Sequence, residues 1–315
     1  EEVRLNRRLA PAIYLDVVPI TGTPAAPRIN GSGEVLEYAV KMRQFPPDAT
    51  LDRLDAQGGM SARQVEAIAT TAARFHLEDC ARAGEDSPWG SPEKVWQPVV
   101  QNFLQIAPRL QDPADRWQLD ALHAWSEAEH VRLAPLLAAR KRDGFVRECH
   151  GDLHLGNLAW VGDQLLVFDC LEFNPDLRWI DIVSELAFAW MDLLQRGHPD
   201  WAWLLLNLWL EQTGDYAGLA MLRYYAVYRA LVRAKVAAIR SGQTTGAGHD
   251  AALDEARALL ERASTLTRPL PLRLDITHGL SGSGKTTVSH ARMQTPGAIR
   301  LRSDVERKRL AGLDA

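Results

Sequence analysis

The chain has 315 residues, 46% of them hydrophobic and 24% charged, which is the balance of a folded globular protein long enough for more than one core. A formal net charge of -4 argues against a general nucleic-acid binder or a membrane-surface binder, because both partners are polyanions. Three scattered cysteines (Cys80, Cys149, Cys170) give neither a disulfide framework nor a C-x-x-C pair and read as reduced thiols of a cytoplasmic protein, and the longest apolar run, Trp201 to Leu210, is too short to span a bilayer.

In chain order, residues 1–10 read as a helix stopped by Pro11. Ile13 to Ile20 is a β-rich run ending in the turn cluster Thr21-Gly22-Thr23-Pro24, and Glu34 to Gln44 reads as a second strand. From Ser61 the period changes to that of a helix, with Val65, Ile68, Ala69, Ala72 and Phe75 on one face. Helices follow over about 93–110 and 113–141. A β-rich island spans 145–173, with Leu158 to Val161 and Leu165 to Phe168 flanking a Gly162-Asp163 hairpin turn. Helical pattern resumes over Trp179 to Leu194, 199–213 and 216–240, and a last helix runs to about Leu266 after a loop at Ser241 to Gly248. Pro269 and Pro271 mark a linker. Leu272 to His278 then reads as a strand, and Ala298 to Leu301 as another. Without an initiator Met, and with a helix at its first residues, the chain reads as cut at both ends.

The island holds His150-Gly151-Asp152-Leu153-His154-Leu155-Gly156-Asn157, followed by Phe168-Asp169 at the end of the hairpin. Phosphoryl transfer needs a carboxylate beside the attacking hydroxyl and hard oxygen ligands for magnesium. Asp152 on a loop after a strand suits the first role, and Asn157 and Asp169 suit the second. The bland alternative makes Asp152 a turn cap, Asn157 a loop residue and Asp169 a strand-end charge. Arg229, Arg233 and Lys235 can face an anionic substrate, although such residues are more often a solvated helix face. His150 reads as a loop brace rather than as half of a metal pair with His154.

These residues resemble the catalytic loop of the aminoglycoside phosphotransferase and choline kinase group, a branch of the protein-kinase-like fold. Phe168-Asp169-Cys170-Leu171-Glu172-Phe173-Asn174 stands where that group carries its metal-binding Asp. The chain from Glu1 to Leu313, including Arg178-Trp179-Ile180-Asp181 and Tyr228-Arg229-Ala230-Leu231-Val232-Arg233-Ala234-Lys235, further resembles bacterial two-part proteins with a P-loop kinase or AAA-type domain after the phosphotransferase-like one. The resemblance implies that Asp152 is the catalytic base, that Asn157 and Asp169 bind magnesium, and that Asp181 braces the catalytic loop through backbone amides. Ala39-Val40-Lys41 mimics a phosphate-gripping strand. In the kinase order, however, Lys41 falls on a later strand and reads as solvated, with the phosphate lysine expected upstream of Glu1 and Glu1 or Glu2 as its partner.

Gly279-Leu280-Ser281-Gly282-Ser283-Gly284-Lys285-Thr286 fits G-x-x-x-x-G-K-[ST] at every fixed position. Gly279, Ser281, Gly282, Ser283 and Gly284 would wrap phosphates with backbone N–H groups, with Thr287 beside them. Lys285 would reach the β/γ-phosphates and Thr286 would ligate magnesium. Asp304, in Arg302-Ser303-Asp304-Val305-Glu306-Arg307-Lys308-Arg309, resembles the base or orienter of small P-loop kinases similar to gluconate kinase and chloramphenicol phosphotransferase. It equally reads as a helix cap.

The expected fold is α+β: a protein-kinase-like domain over 1–266 without its first strands, a linker at 267–271, and the first βαβ part of an α/β P-loop domain over 272–315. The expected function is ATP- and Mg2+-dependent phosphoryl transfer to a small-molecule hydroxyl, with no nucleic-acid or membrane partner. Three alternatives stand beside it: a nucleotide-binding regulator without turnover, a polynucleotide end kinase and a motor ATPase.

Overall fold

The computed structural model describes residues 1–280 and 282–313. Helix α1 (Glu2–Asn6) leads into an antiparallel sheet of β1 (Tyr14–Thr23), β2 (Ala26–Ile29) and β3 (Val35–Met42), in the order β2-β1-β3. The expected turn at Thr21–Pro24 lies later than predicted. The strand continues to Thr23, which pairs with Ala26, so the reversal falls between those two residues. Lys41 is exposed on β3, opposite Asp16.

The helical body begins with α2 (Leu51–Ala56) and α3 (Ala62–Arg74). It continues with α4 (Pro92–Ile106) and α5 (Pro113–Arg142), each opened by a proline at the first turn and by a side-chain cap, Ser91 to the Lys94 amide and Asp112 to the Ala114 amide. Next come β4 (Val146–Glu148), the hairpin β5 (Leu158–Val161) and β6 (Gln164–Val167), and β7 (Trp179–Asp181), which pairs antiparallel with β4. Trp179 therefore opens a strand rather than the predicted helix. The helix α6 (Ile182–Gln195) starts only after Asp181, whose carboxylate caps the Val183 amide. Helices α7 (Pro199–Thr213), α8 (Leu219–Ser241) and α9 (Ala247–Leu266) complete the body. Every residue of α6 from Ile182 to Leu194 is buried, so this helix is the centre of the core. A small antiparallel sheet with one helix is followed by a mostly helical body that displays the β4–β7 island, an α+β arrangement as expected from the sequence.

After Leu266 the chain is different. The predicted strand Leu272 to His278 is not formed, and Leu272, Leu274 and Ile276 are 103%, 82% and 78% exposed. Ala298 to Leu301 is likewise no strand. The βαβ expectation is corrected to two helices, α10 (Lys285–Arg292) and α11 (Ser303–Leu310), because a parallel strand needs neighbours to take its N–H and C=O groups and none pairs with it among the described residues.

The segment carrying these helices packs on α7. Met293 is fully buried against the main core. Asn207, 1% exposed, donates to the carbonyls of Ala298 (2.8 Å) and Met293 (3.3 Å) and accepts from the Arg300 amide (2.7 Å). One turn along, Glu211 takes the Arg300 guanidinium at 2.6 Å, and its carbonyl accepts from Arg309.

Candidate active site

The loop that follows β4 is held by main-chain contacts to buried side chains. Glu185, 1% exposed on α6, accepts from the amides of His150 (3.1 Å) and Gly151 (2.7 Å). His76 donates from Nε2 to the same carboxylate (3.2 Å), and its Nδ1 accepts from the indole of Trp209 (3.1 Å), so the imidazole has a fixed tautomer. Burial alone would raise the Glu185 pKa, but the His76 hydrogen bond and the Gly151 amide help pull it down to about 2. His76, Cys149 and Glu185 offer ligand atoms within 4.8 Å of one another. Both ring nitrogens and both carboxylate oxygens are already engaged, which makes the cluster a brace rather than a metal centre.

Further along the loop, Asp192 accepts from the Leu155 amide (3.0 Å), and Arg229 donates to the Gly151 carbonyl (2.9 Å). The resemblance had given the brace to Asp181. That assignment is corrected, because both Asp181 oxygens are taken by Arg140 (2.6 and 2.9 Å), and Arg140 also holds Asp215. Arg229 is corrected too: it is 3% exposed and structural, not a solvated face. Glu185 and Asp192 carried a signal in the sequence, as the only charges within the apolar run Ile182 to Leu194, where a buried carboxylate must find partners.

Held in this frame, Asp152 accepts from Asn157 Nδ2 at 2.9 Å and lies 3.4 Å from His154 Nε2. Burial acts against its ionisation, yet the His154 hydrogen bond and the nearby positive groups bring its pKa to about 2. Asn157 Nδ2 also donates to the Asp152 carbonyl (3.0 Å), which leaves its Oδ1 without a donor among the described residues. His150 braces from Nε2 to the Phe168 carbonyl (2.8 Å). Asp169 has a left-handed backbone (φ 65°), and its amide donates to the Tyr14 hydroxyl (3.1 Å). Its carboxyl is the opposite of Asp152: burial and the Asp152 charge push its pKa up. Asn6, unremarked in the sequence, ties α1 to this strand end by accepting from the Cys170 amide (2.9 Å). Glu2 adds to the acidity of the cleft, its pKa raised by burial and by the charges of Glu172 and Asp169.

At the far end, Gly279, Gly282 and Gly284 all have positive φ, and a Cβ on Gly279 would come within 2.8 Å of Ser283 Oγ. Lys285 Nζ donates to the carbonyls of Gly279 (2.8 Å) and Leu280 (2.6 Å) at the opening of α10, and Thr286 and Thr287 are exposed in that helix's first turn. Ser281 lies outside the described residues. Asp304 sits in the first turn of α11, accepting from Arg302 at 2.8 Å. No helix is long and apolar enough to cross a membrane among the described residues.

A family model described as an AAA domain matches residues 274–315. Uncharacterized proteins of Mycobacterium tuberculosis and Mycobacterium bovis are each 28% identical over 311 residues, covering 98% of this chain and 59% of theirs. The chain thus spans about three fifths of the length of these relatives. Among solved structures, a choline kinase from Cryptosporidium parvum aligns at TM-score 0.46 and 11% identity over 74% of this chain and 72% of its own. An ethanolamine kinase of Plasmodium vivax aligns at 0.44 and 12%, over 75% and 66% respectively. These likenesses are distant.

Proposed function

We propose that the chain is an ATP-dependent phosphotransferase acting on a hydroxyl of a small molecule at the Asp152 loop, with the P-loop as a second ATP-binding element. In this reading residues 1–266 and 272–315 are two nucleotide-handling units joined by 267–271, and the three buried free cysteines fit a reducing cytoplasm. The observation that carries the reading is the convergence of three residues: Asn157 donates from Nδ2 to the Asp152 carboxylate at 2.9 Å and accepts at its carbonyl from the Phe168 amide, next to Asp169, at 3.1 Å. The Asp152 pKa is lowered against its burial by His154 and nearby positive groups, whereas burial and the Asp152 charge raise that of Asp169.

Asp169 and the undonated Asn157 Oδ1 form a hard oxygen pair that suits magnesium by donor chemistry. A magnesium ion bound there would neutralise charge on the ATP phosphates. Asp152 accepts the acceptor's O–H and aims its oxygen. The new bond forms from that oxygen to the γ-phosphorus as the bridging P–O bond to ADP breaks, and the hydroxyl proton passes toward Asp152. A carboxylate with a pKa near 2 is a weak base, so orientation is its larger contribution.

The test is a pair of variants in the full-length protein. Asp152→Ala should lower turnover by about a hundredfold or more while leaving ATP·Mg affinity in place. Asp169→Ala should weaken ATP·Mg binding itself. Near-wild-type turnover in Asp152→Ala, with an identified acceptor, would end the assignment.

A further inference from the structure

Two of the three free cysteines face each other where the segment after α3 meets strand β4. Arg82 bridges antiparallel to Arg147, flanked by hydrogen bonds from the Glu148 amide to the Ala81 carbonyl and from the Ala83 amide to the Val146 carbonyl, both 2.9 Å. One register step along, Cys80 stands opposite Cys149. Cys80 has an extended backbone (φ -81°, ψ 121°), and the Cys149 amide is turned the other way, to the Arg178 carbonyl at 2.8 Å. The two therefore occupy facing positions that exchange no backbone hydrogen bond. Facing Cα atoms at such positions lie about 4.5 Å apart, and a disulfide takes about 4.4–6.8 Å. The thiols also act on each other: after burial, Cys80 is the next cause that pushes the Cys149 thiol well up. Cys170 is engaged elsewhere, donating to the His150 carbonyl at 3.2 Å.

We infer that Cys80 and Cys149 are a latent redox pair, which a small disulfide converts to an intramolecular disulfide that clamps the brace of the Asp152 loop. The inference does not depend on the phosphotransferase reading. Cys80 reacts first, because it lies just beneath the surface between the exposed Asp79 and the exposed Ala81 and Arg82, whereas Cys149 is fully buried. Arg147, on the same face of β4 as Cys149, supplies positive charge to the pair. Its buried guanidinium donates only to the carbonyls of Gly144 (3.1 Å), Leu77 (3.0 Å) and His76, with no carboxylate partner among the described residues. The Cys80 thiolate attacks one sulfur of R–S–S–R, that S–S bond breaks, and the first small thiolate leaves and takes up the Cys80 proton. Cys149 Sγ then attacks the Cys80 sulfur, and its proton leaves with the second small thiolate. Two cysteine thiols are thereby oxidised to one disulfide, and one small disulfide is reduced to two thiols. The new bond joins the residue before His150, whose amide Glu185 holds, to the residue after the π-turn Phe75–Asp79. That turn carries His76, the other partner of Glu185.

The experiment treats the folded full-length protein with hydroxyethyl disulfide, a small neutral reagent, and maps the linked peptides by mass spectrometry. The expected result is a peptide pair joined through Cys80 and Cys149 within one chain, and released by dithiothreitol. Cys170→Ser should still form the bond, and Cys80→Ser should lose it. Hydrogen exchange at the His150 and Gly151 amides should slow about tenfold or more in the oxidised protein, and the same reagent should leave it unchanged in Cys80→Ser. No Cys80–Cys149 bond at a reagent concentration that oxidises the urea-unfolded protein overturns the pair. So does a bond made instead through Cys170 or between two chains. A Cys80–Cys149 bond that leaves exchange at the two amides unchanged overturns the clamp.

Discussion

Glu185 and Asp152 show how single side chains are tuned from a distance. Glu185 keeps its charge in the core because two loop amides and His76 replace the water it has lost. Its pKa of about 2 against an ordinary 4.5 means that this stabilisation is fully present above pH 4.5 and is lost as the pH falls toward 2. The shift corresponds to about 3 kcal/mol. Glu185→Gln retains one acceptor oxygen for two amides, so it should cost on the order of 1–3 kcal/mol at neutral pH and flatten the acid limb between pH 4.5 and 2. Urea titrations across that range read both effects, and an acid limb parallel to wild type would remove Glu185 as its source. Asp152, Asn157 and Asp169 could be singled out as candidates because they lie at a short spacing. The brace was not, because the choice between Asp181 and Glu185 is made by Arg140, 41 residues from Asp181, and by His76, 109 residues from Glu185.

At the level of elements, hydrophobic period located most of the helices, and turn chemistry located the β5–β6 hairpin. Short elements escaped: α2 has only six residues and β7 only three, too few for a period to show. Leu272, Leu274 and Ile276 alternate as a strand should, yet alternation supplies no hydrogen-bond partner, and the segment forms no strand and stays exposed. The Asp152 loop is limited by backbone shape as well as by its partners. Gly151 has φ 90° and leaves no room for a Cβ beneath the Leu177 carbonyl. Gly151→Ala should therefore cost on the order of 1–3 kcal/mol and displace the loop that carries Asp152. Chemical denaturation gives the first effect and turnover of the full-length protein the second, and an unchanged midpoint would show that the loop yields freely.

For the whole molecule, the two prolines at 269 and 271 led to the expectation of a short junction, and nothing in the local pattern showed where the following segment would rest. Its seat on α7 depends on Asn207 and Glu211, which read in sequence as ordinary polar members of a helix. Asn207→Leu keeps the branched shape of the side chain and removes three hydrogen bonds to the segment. It should speed hydrogen exchange at the Arg300 amide at least tenfold relative to wild type, with little change in α6. Equal exchange in both proteins would mean that Met293 and the Glu211–Arg300 pair hold the segment without Asn207. Trp209, on the same helix, donates to His76, so the seat and the brace of the Asp152 loop share one rigid element. Shared placement alone is no measure of coupling between the sites.

Asn207 meets the docked segment only through main-chain atoms, the carbonyls of Met293 and Ala298 and the amide of Arg300. Such a grip is indifferent to the letters in between and strict about their number. Side chains over 294–298 can drift without loosening it, whereas one residue inserted or deleted there moves a carbonyl out of reach, and proline at position 300 removes the single donor on which the third bond depends. The fault line of this joint therefore runs along chain length rather than chemical identity. Substitution should be forgiven across a stretch where a frame-preserving deletion is not.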